Sequence, residues 1–494
     1  MTPPVSADDE RRVVDEVNTD LLVGGVWRAA SGGDSLDVTD PSTGAVLARV
    51  ADATLDDARD AIELASESQD AWGATAPRER GEILRKAFEL MVERADDLAL
   101  LMTLEMGKPL AESRAEVLYA ADYFRWFSEE AVRLTGSWRT APDGQSRLLV
   151  MKQPVGPCLL VTPWNFPLAM GTRKIGPALA AGNTVIVKPA KQTPLSMLAL
   201  GGILIEAGLP RGVLSVLTTS NSSALVGAIM ADSRLRKLSF TGSTEVGIAL
   251  LEQAAPGLLR TSMELGGNAP FIVFDDADLE LAADEAMRAK LRNNGEACTA
   301  ANRFYVQDGV AEAFVAALTE RFSRIVTGRG VEDGVTLGPL IDRPAVDKVD
   351  ELVQAALEDG ATIAYEGEAP AGTGTYYPPT LLSDVPADSR IVHEEIFGPI
   401  ASVVRFSTEE EVLRLANASQ YGLASYVFTE NLDRAIRVSE RLEVGMVGLN
   451  RGVLSNVAAP FGGIKASGFG REGGDVGIDE YLAVKYVSVG VAGP

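Results

Sequence analysis

Cys298 stands in the run Gly-Glu-Ala-Cys-Thr, just beyond a helical pattern and a glycine. Most free cysteines are small buried hydrophobes, but a thiol delivered this way is also a candidate nucleophile. The chain has one histidine, His393, which reads as structural, so a papain-like cysteine–histidine pair has no partner to use. Activation would have to come from backbone dipoles, a nearby cation or the positive ring of a bound cofactor. With one histidine and two cysteines, Cys158 and Cys298, no metal site, iron–sulfur cluster or disulfide framework is expected.

Two other stretches could handle phosphate. Gly242-Ser243-Thr244-Glu245-Val246-Gly247 follows an apolar strand pattern and opens a helix. It lacks the middle glycine of G-x-G-x-x-G, and it lacks the lysine and hydroxyl that end a P-loop. It reads either as an ordinary strand–helix turn or as a helix N-terminus offering free N–H groups to a pyrophosphate. Lys188-Pro189-Ala190-Lys191 ends the strand pattern TVIV, at the edge where parallel sheets bind ligands. These lysines are either solvated or a clamp on ribose and phosphate.

The elements that must position these groups follow from periodicity. Residues 56–134 repeat apolar positions every three or four residues, as helices do, with a break at Gly107-Lys108-Pro109. From Arg147 the pattern becomes extended, around a Pro-Val-Gly-Pro turn. Short β-branched strands then alternate with helices such as TRKIGPALAAG, closed by Gly182. The helix after Lys191 is expected to take Thr193 as N-cap, and another is expected from Asp278 to about Asn294. Such alternation calls for parallel sheets with helices on both faces, here as two α/β units meeting near Glu264.

The 494 residues are 46% hydrophobic and 23% charged, which is the make-up of a folded globular chain, and the length suggests roughly three structural units. A net charge of −24 repels phosphate backbones and anionic lipid, so neither nucleic acid nor membrane is an expected partner. The acidic, proline-containing start MTPPVSADDERR is unlike a signal peptide, and Leu195–Leu209 is too short to span a bilayer. A cytoplasmic protein is expected.

PWNFP (Pro163–Pro167), AGNTVIVKP, SFTGSTEVG, MELGGNAP, NNGEACTAANRFYV, EEIFGP (Glu394–Pro399), YGLASYVF and PFGGIKASGFGRE occur in this order. On these motifs the chain resembles the aldehyde dehydrogenases from about Asn18 to Tyr486. Its GREGGDVGIDEYLAVKYVSVG is in the style of the succinate-semialdehyde dehydrogenase branch. The resemblance implies a three-part α/β fold. A five-stranded Rossmann-like dinucleotide-binding domain would take 1–136 and 157–262, a catalytic domain 263–475, and a small β oligomerisation arm 137–156 and 476–494. A homodimer or homotetramer is implied with it.

The same resemblance implies Cys298 as nucleophile, Glu264 as general base and Asn165 as oxyanion donor. Thiolate attack on an aldehyde makes a tetrahedral oxyanion, which the Asn165 amide and the Cys298 N–H would stabilise; one such donor supplies ~3–4 kcal/mol. Hydride leaves to a nicotinamide, and Glu264 would deprotonate the water that clears the thioester. Without the motif, Glu264 would read as an exposed strand-end carboxylate. Trp164, Asn165, Lys188, Pro189, Ala190, Lys191, Gly242, Ser243, Leu265, Glu395 and Phe397 would surround the dinucleotide, with Glu395 on the nicotinamide ribose. NAD-preferring relatives often carry glutamate where this chain has Lys191, so NADP is expected over NAD.

Arg173, Arg292 and Ser455 match the positions that hold a substrate carboxylate in that branch, which implies succinic semialdehyde. Each arginine has an alternative as a helix-surface ion-pair partner. Glutarate semialdehyde or a broad range of aliphatic aldehydes is the alternative substrate. A cysteine hydrolase or esterase, or a non-catalytic dinucleotide-binding protein, is the alternative of another class. Some relatives have a second cysteine two residues past the nucleophile; here that position is Ala300, so a local disulfide switch is not expected.

Overall fold

The computed structural model describes residues 5–490. Residues 1–4 and 491–494, parts of the expected first domain and arm, lie outside the described residues.

The first sheet has eight strands. Five are parallel: Leu214–Val216, Val185–Lys188, Cys158–Val161, Lys237–Thr241 and Arg260–Glu264, in that spatial order. The expected five-stranded sheet is thus the parallel centre of a larger one. The hairpin Leu21–Val23/Val26–Arg28 extends one edge antiparallel, and Gly468–Phe469 extends the other. Cys158–Val161 and Val185–Lys188, at the centre of the sheet, are buried throughout, which is why CLLV and VIV read as unbroken apolar runs. Val185 and Val187 enter one core and Ile186 the opposite one, as the two-residue pleat dictates. In chain order the five run third, second, first, fourth, fifth. The order reverses between Cys158–Val161 and Lys237–Thr241, and a crevice opens beyond the carboxyl ends of those two strands.

The second sheet has seven strands, six of them parallel, with Thr362–Glu366 antiparallel at one edge. A separate antiparallel sheet joins Ser137–Thr140, Ser146–Pro154 and Leu482–Gly490. It leaves Trp138, Val484 and Tyr486 exposed. The 3-10 turn Gly477–Tyr481 just before it buries Ile478 and Tyr481 in the core of the first unit.

Two local expectations are corrected. Thr193 does not cap the next helix, which starts at Leu195. The carboxylate of buried Glu105 accepts the N–H groups of Leu195 and Ser196 at 2.8 and 2.9 Å, while the Thr193 hydroxyl donates to the Trp164 carbonyl at 3.2 Å. The helix expected to about Asn294 ends at Leu291. Arg292–Gly295 is a tight turn with Asn293 and Asn294 left-handed (φ 60° and 59°). Asparagine tolerates that conformation, and both side chains are tied down. Asn293 donates to the carbonyls of Asn165 and Glu296, and Asn294 bonds Gly338 and Pro339.

Candidate active site

The crevice holds a cavity of about 360 Å3. Trp164 and Asn165 follow the first strand of the switch, and Gly242 and Ser243 follow the fourth; Leu265, Cys298, Glu395 and Phe397 complete that part of the wall. Ser243 caps the helix Thr244–Ala254 by accepting the Val246 N–H. Trp164 and Phe397 meet edge to face, with centroids 5.5 Å apart. The Glu395 carboxylate accepts the Gly267 N–H at 3.0 Å, and burial pushes its carboxyl up to about 7. Gly267 must be glycine, because a Cβ there would lie 2.2 Å from the Cys298 carbonyl oxygen.

Lys188, Pro189, Ala190 and Lys191 end the neighbouring strand and do not line this cavity. Lys188 is buried and donates to the Ser222 hydroxyl at 3.0 Å; burial, with Lys191 beside it, brings its ammonium down to about 8. Lys191 is exposed. A dinucleotide fits this edge of the sheet: the Thr162 and Thr241 hydroxyls, at the two strand ends flanking the switch, are buried and unpartnered, and the Thr244–Ala254 helix begins there.

A second cavity, of about 220 Å3, lies on the other side of the cysteine. Arg173, Arg292 and Ser455 line it, with Tyr119, Phe166 and Phe461 as aromatic walls. Cys298 and Met170 line both cavities. Arg292 points both terminal nitrogens at the Ser455 hydroxyl, at 3.4 and 3.5 Å, and lies over the Phe166 ring. Arg173 is not a helix-surface residue. It is 1% exposed, packs on the Phe461 ring with its guanidinium carbon 3.9 Å from the centroid, and pairs with Glu472 at 2.5 Å.

Glu472 and Lys174 were not singled out by the sequence reading, although one follows PFGGIKASGFGR and the other follows Arg173 directly. Lys174 binds the other Glu472 oxygen at 2.5 Å. Burial opposes ionisation of Glu472, but Lys174 and Arg173 outweigh it and hold the carboxyl below its ordinary value. Glu264 is the reverse case: 4% exposed, with both oxygens unpartnered. Burial, reinforced by the Glu472 charge, raises it well above the carboxylate range. It lines neither cavity, yet its charge reaches the Cys298 thiol. Packed atoms around the sulfur push that thiol up to about 12, against the pull of Arg173 and Arg292.

Asn165 is 5% exposed. Its side-chain amide donates to the Glu296 carbonyl at 2.9 Å, which leaves one amide N–H uncommitted. The site therefore joins a thiol, an amide donor, a buried carboxyl of raised basicity and a guanidinium-lined chamber, which are the parts of acyl chemistry at a carbonyl carbon.

Among the described residues no helix is long and apolar enough to cross a membrane. The family model described as "Aldehyde dehydrogenase family" matches residues 27–487. A succinate-semialdehyde dehydrogenase of Paenarthrobacter nicotinovorans is 54% identical over 450 residues, 91% of this chain and 99% of that one. A glutarate-semialdehyde dehydrogenase of Pseudomonas aeruginosa is 49% identical, covering 95% of this chain and 97% of its own. The crystal structure of an NADP-dependent enzyme of Escherichia coli superposes with a TM-score of 0.95 at 49% identity, covering 96% of this chain and 98% of that one.

Proposed function

The chain belongs to the aldehyde dehydrogenase family and oxidises an aldehyde; from that premise we propose that its substrate is succinic semialdehyde and that it prefers NADP over NAD. The observation that carries this reading is the position of Cys298, shared by a crevice at the sheet's switch point and a chamber lined by Arg173, Arg292 and Ser455. An aldehyde with a remote carboxylate fits that chamber, because a guanidinium fork takes a carboxylate bidentately. The relative from Paenarthrobacter nicotinovorans, named for succinate semialdehyde, supports it. The glutarate-semialdehyde relative keeps the five-carbon homologue as the second reading.

In this mechanism the Cys298 thiol releases its proton to solvent water, and the thiolate adds its electron pair to the aldehyde carbon as the carbonyl pair moves onto oxygen. The oxyanion that forms accepts from the free Asn165 amide N–H and the Cys298 backbone N–H. The dinucleotide, when bound, supplies the nicotinamide that accepts the substrate's hydride. Trp164, Gly242, Ser243, Leu265, Glu395 and Phe397 would hold it within the crevice, and Lys188-Pro189-Ala190-Lys191 would hold it at the ribose end. The acyl group is then a thioester on Cys298. Glu264 takes a proton from water, the hydroxide adds to the thioester carbon, and the thiol leaves as the carboxylate product forms.

Two ammoniums near one strand end, in a chain of charge −24, support NADP over NAD, and the NADP-dependent structural relative agrees with this. The exposed Trp138, Val484 and Tyr486 support self-association through the three-stranded arm as a dimer or tetramer, and a cytoplasmic location belongs to the same reading. The test is a panel of succinic, glutaric and uncharged aldehydes against NADP and NAD, followed by reduced-nicotinamide absorbance. The reading requires the highest kcat/KM with succinic semialdehyde and NADP. No reduction with any aldehyde would leave a thiol hydrolase or a binding protein.

A further inference from the structure

Lys108 takes no part in the steps above, yet its side chain is fully buried, a position lysine occupies only with partners. It lies in the break between helices Ala95–Met106 and Leu110–Glu130, where left-handed Gly107 (φ 93°) redirects the chain. Its ammonium pairs with Glu116, donates to the Asn165 carbonyl at 2.8 Å, and lies 4.5 Å from the Phe166 ring centroid. The same Asn165 carbonyl accepts from Asn293 at 2.9 Å, so two donors from distant segments meet on one oxygen. The other Glu116 oxygen accepts the N–H groups of Leu168 and Ala169, both at 3.1 Å, where the helix carrying Arg173 begins. One buried ion pair therefore grips the segment from Asn165 to Ala169 at both ends.

We infer that Lys108 is a positioning residue for the oxyanion: by anchoring the Asn165 carbonyl it fixes where the Asn165 amide points. This rests on the reading of Asn165 as oxyanion donor. A buried ion pair is weak evidence for stability alone, since apolar residues of similar volume often serve as well. A donor must instead be held closely, because a displacement of about 1 Å can cost ~100-fold in rate.

The test is a double-mutant cycle in the intact protein, read as the rate of the reduced-nicotinamide burst. Lys108→Met should slow the burst ~10- to 100-fold, with aldehyde KM and NADP Kd within about threefold of the parent. Placed in an Asn165→Ala background, the same substitution should change the burst less than about threefold, because the group it positions is gone. Losses that multiply would overturn the inference while leaving Asn165 in its role. An Asn165→Ala burst equal to the parent's would instead remove the oxyanion reading. Should Lys108→Met misfold around an unpaired Glu116, the cycle is run with Lys108→Met/Glu116→Gln, since glutamine keeps the acceptor for Leu168 and Ala169. Loss of NADP binding in both forms would overturn the inference, making Lys108 part of the fold alone.

Discussion

Glu264 and Glu472 are both buried carboxyls, and the protein shifts them in opposite directions, Glu264 up and Glu472 down. Glu472 has Lys174 and Arg173 on its two oxygens, which hold it below its ordinary value; among the described residues Glu264 has no hydrogen-bond partner and feels the Glu472 charge. Burial, with the Glu472 charge added to it, makes Glu264 the more basic of the two.

This fixes a sign. The native state binds the Glu264 proton more tightly than the unfolded chain does. Its contribution to stability is therefore greatest below the ordinary carboxylate pKa and is lost as pH rises through the raised native value. Glu472 runs the other way, losing its contribution as pH falls through its lowered value. The Tm of Glu264→Gln minus that of the parent should grow from about pH 5 to about pH 9. A difference that stays flat would show that Glu264 is ionised at neutral pH.

The two arginines should fail differently. Among the described residues the Arg292 guanidinium has the Ser455 hydroxyl as its one hydrogen-bond partner and lies over the Phe166 ring, so Arg292→Ala should cost ~2–5 kcal/mol in kcat/KM for succinic semialdehyde and little for an uncharged aldehyde. Arg173 also partners buried Glu472, so Arg173→Met should cost ~3–5 kcal/mol of stability and slow both aldehydes. Melting curves with kinetics on both substrates check this. Equal losses for both aldehydes in Arg292→Ala would refute carboxylate recognition.

The difference between what could and could not be read from the chain has a physical basis. Cys298, Asn165 and Gly242 sit at the ends of periodic segments, and the strand order of a parallel sheet brings such ends together. Thr193 has the sequence signature of a cap but does not serve as one, because Glu105, 90 positions away from Leu195, supplies the acceptor. Lys108, Glu116 and Glu472 escaped for the same reason: a buried charge acquires its meaning from partners that folding brings in. Arg173 was identified as a cation for substrate, but its bond to Glu472 has no local signature.

Lys191 is exposed near buried Lys188, so its charge can be inverted at little cost to the fold. Lys191→Glu should shift the NADP-to-NAD ratio of kcat/KM toward NAD by ~10-fold or more, the size of one lost charged contact. Steady-state kinetics with both dinucleotides measure it, and an unchanged ratio would leave Lys191 pointing to solvent.

Cys158 is fully buried on its strand, where its thiol donates to the Gly156 carbonyl, and Ala300 stands two residues past Cys298. Peroxide should inactivate through over-oxidation of Cys298, with activity not restored by thiol reductants once sulfinic acid forms. Peptide mass spectrometry should show no Cys158–Cys298 bridge; finding one would contradict this.

The central claim is that Cys298 carries the acyl group and Glu264 releases it. The most direct measurement is intact and peptide mass spectrometry of Glu264→Gln after mixing with succinic semialdehyde and NADP, with reduced nicotinamide followed in parallel. The account predicts a burst of about one reduced nicotinamide per site and a succinyl thioester retained on Cys298, both absent from Cys298→Ala. Steady turnover by Glu264→Gln, or an acyl group on any other residue, would contradict it.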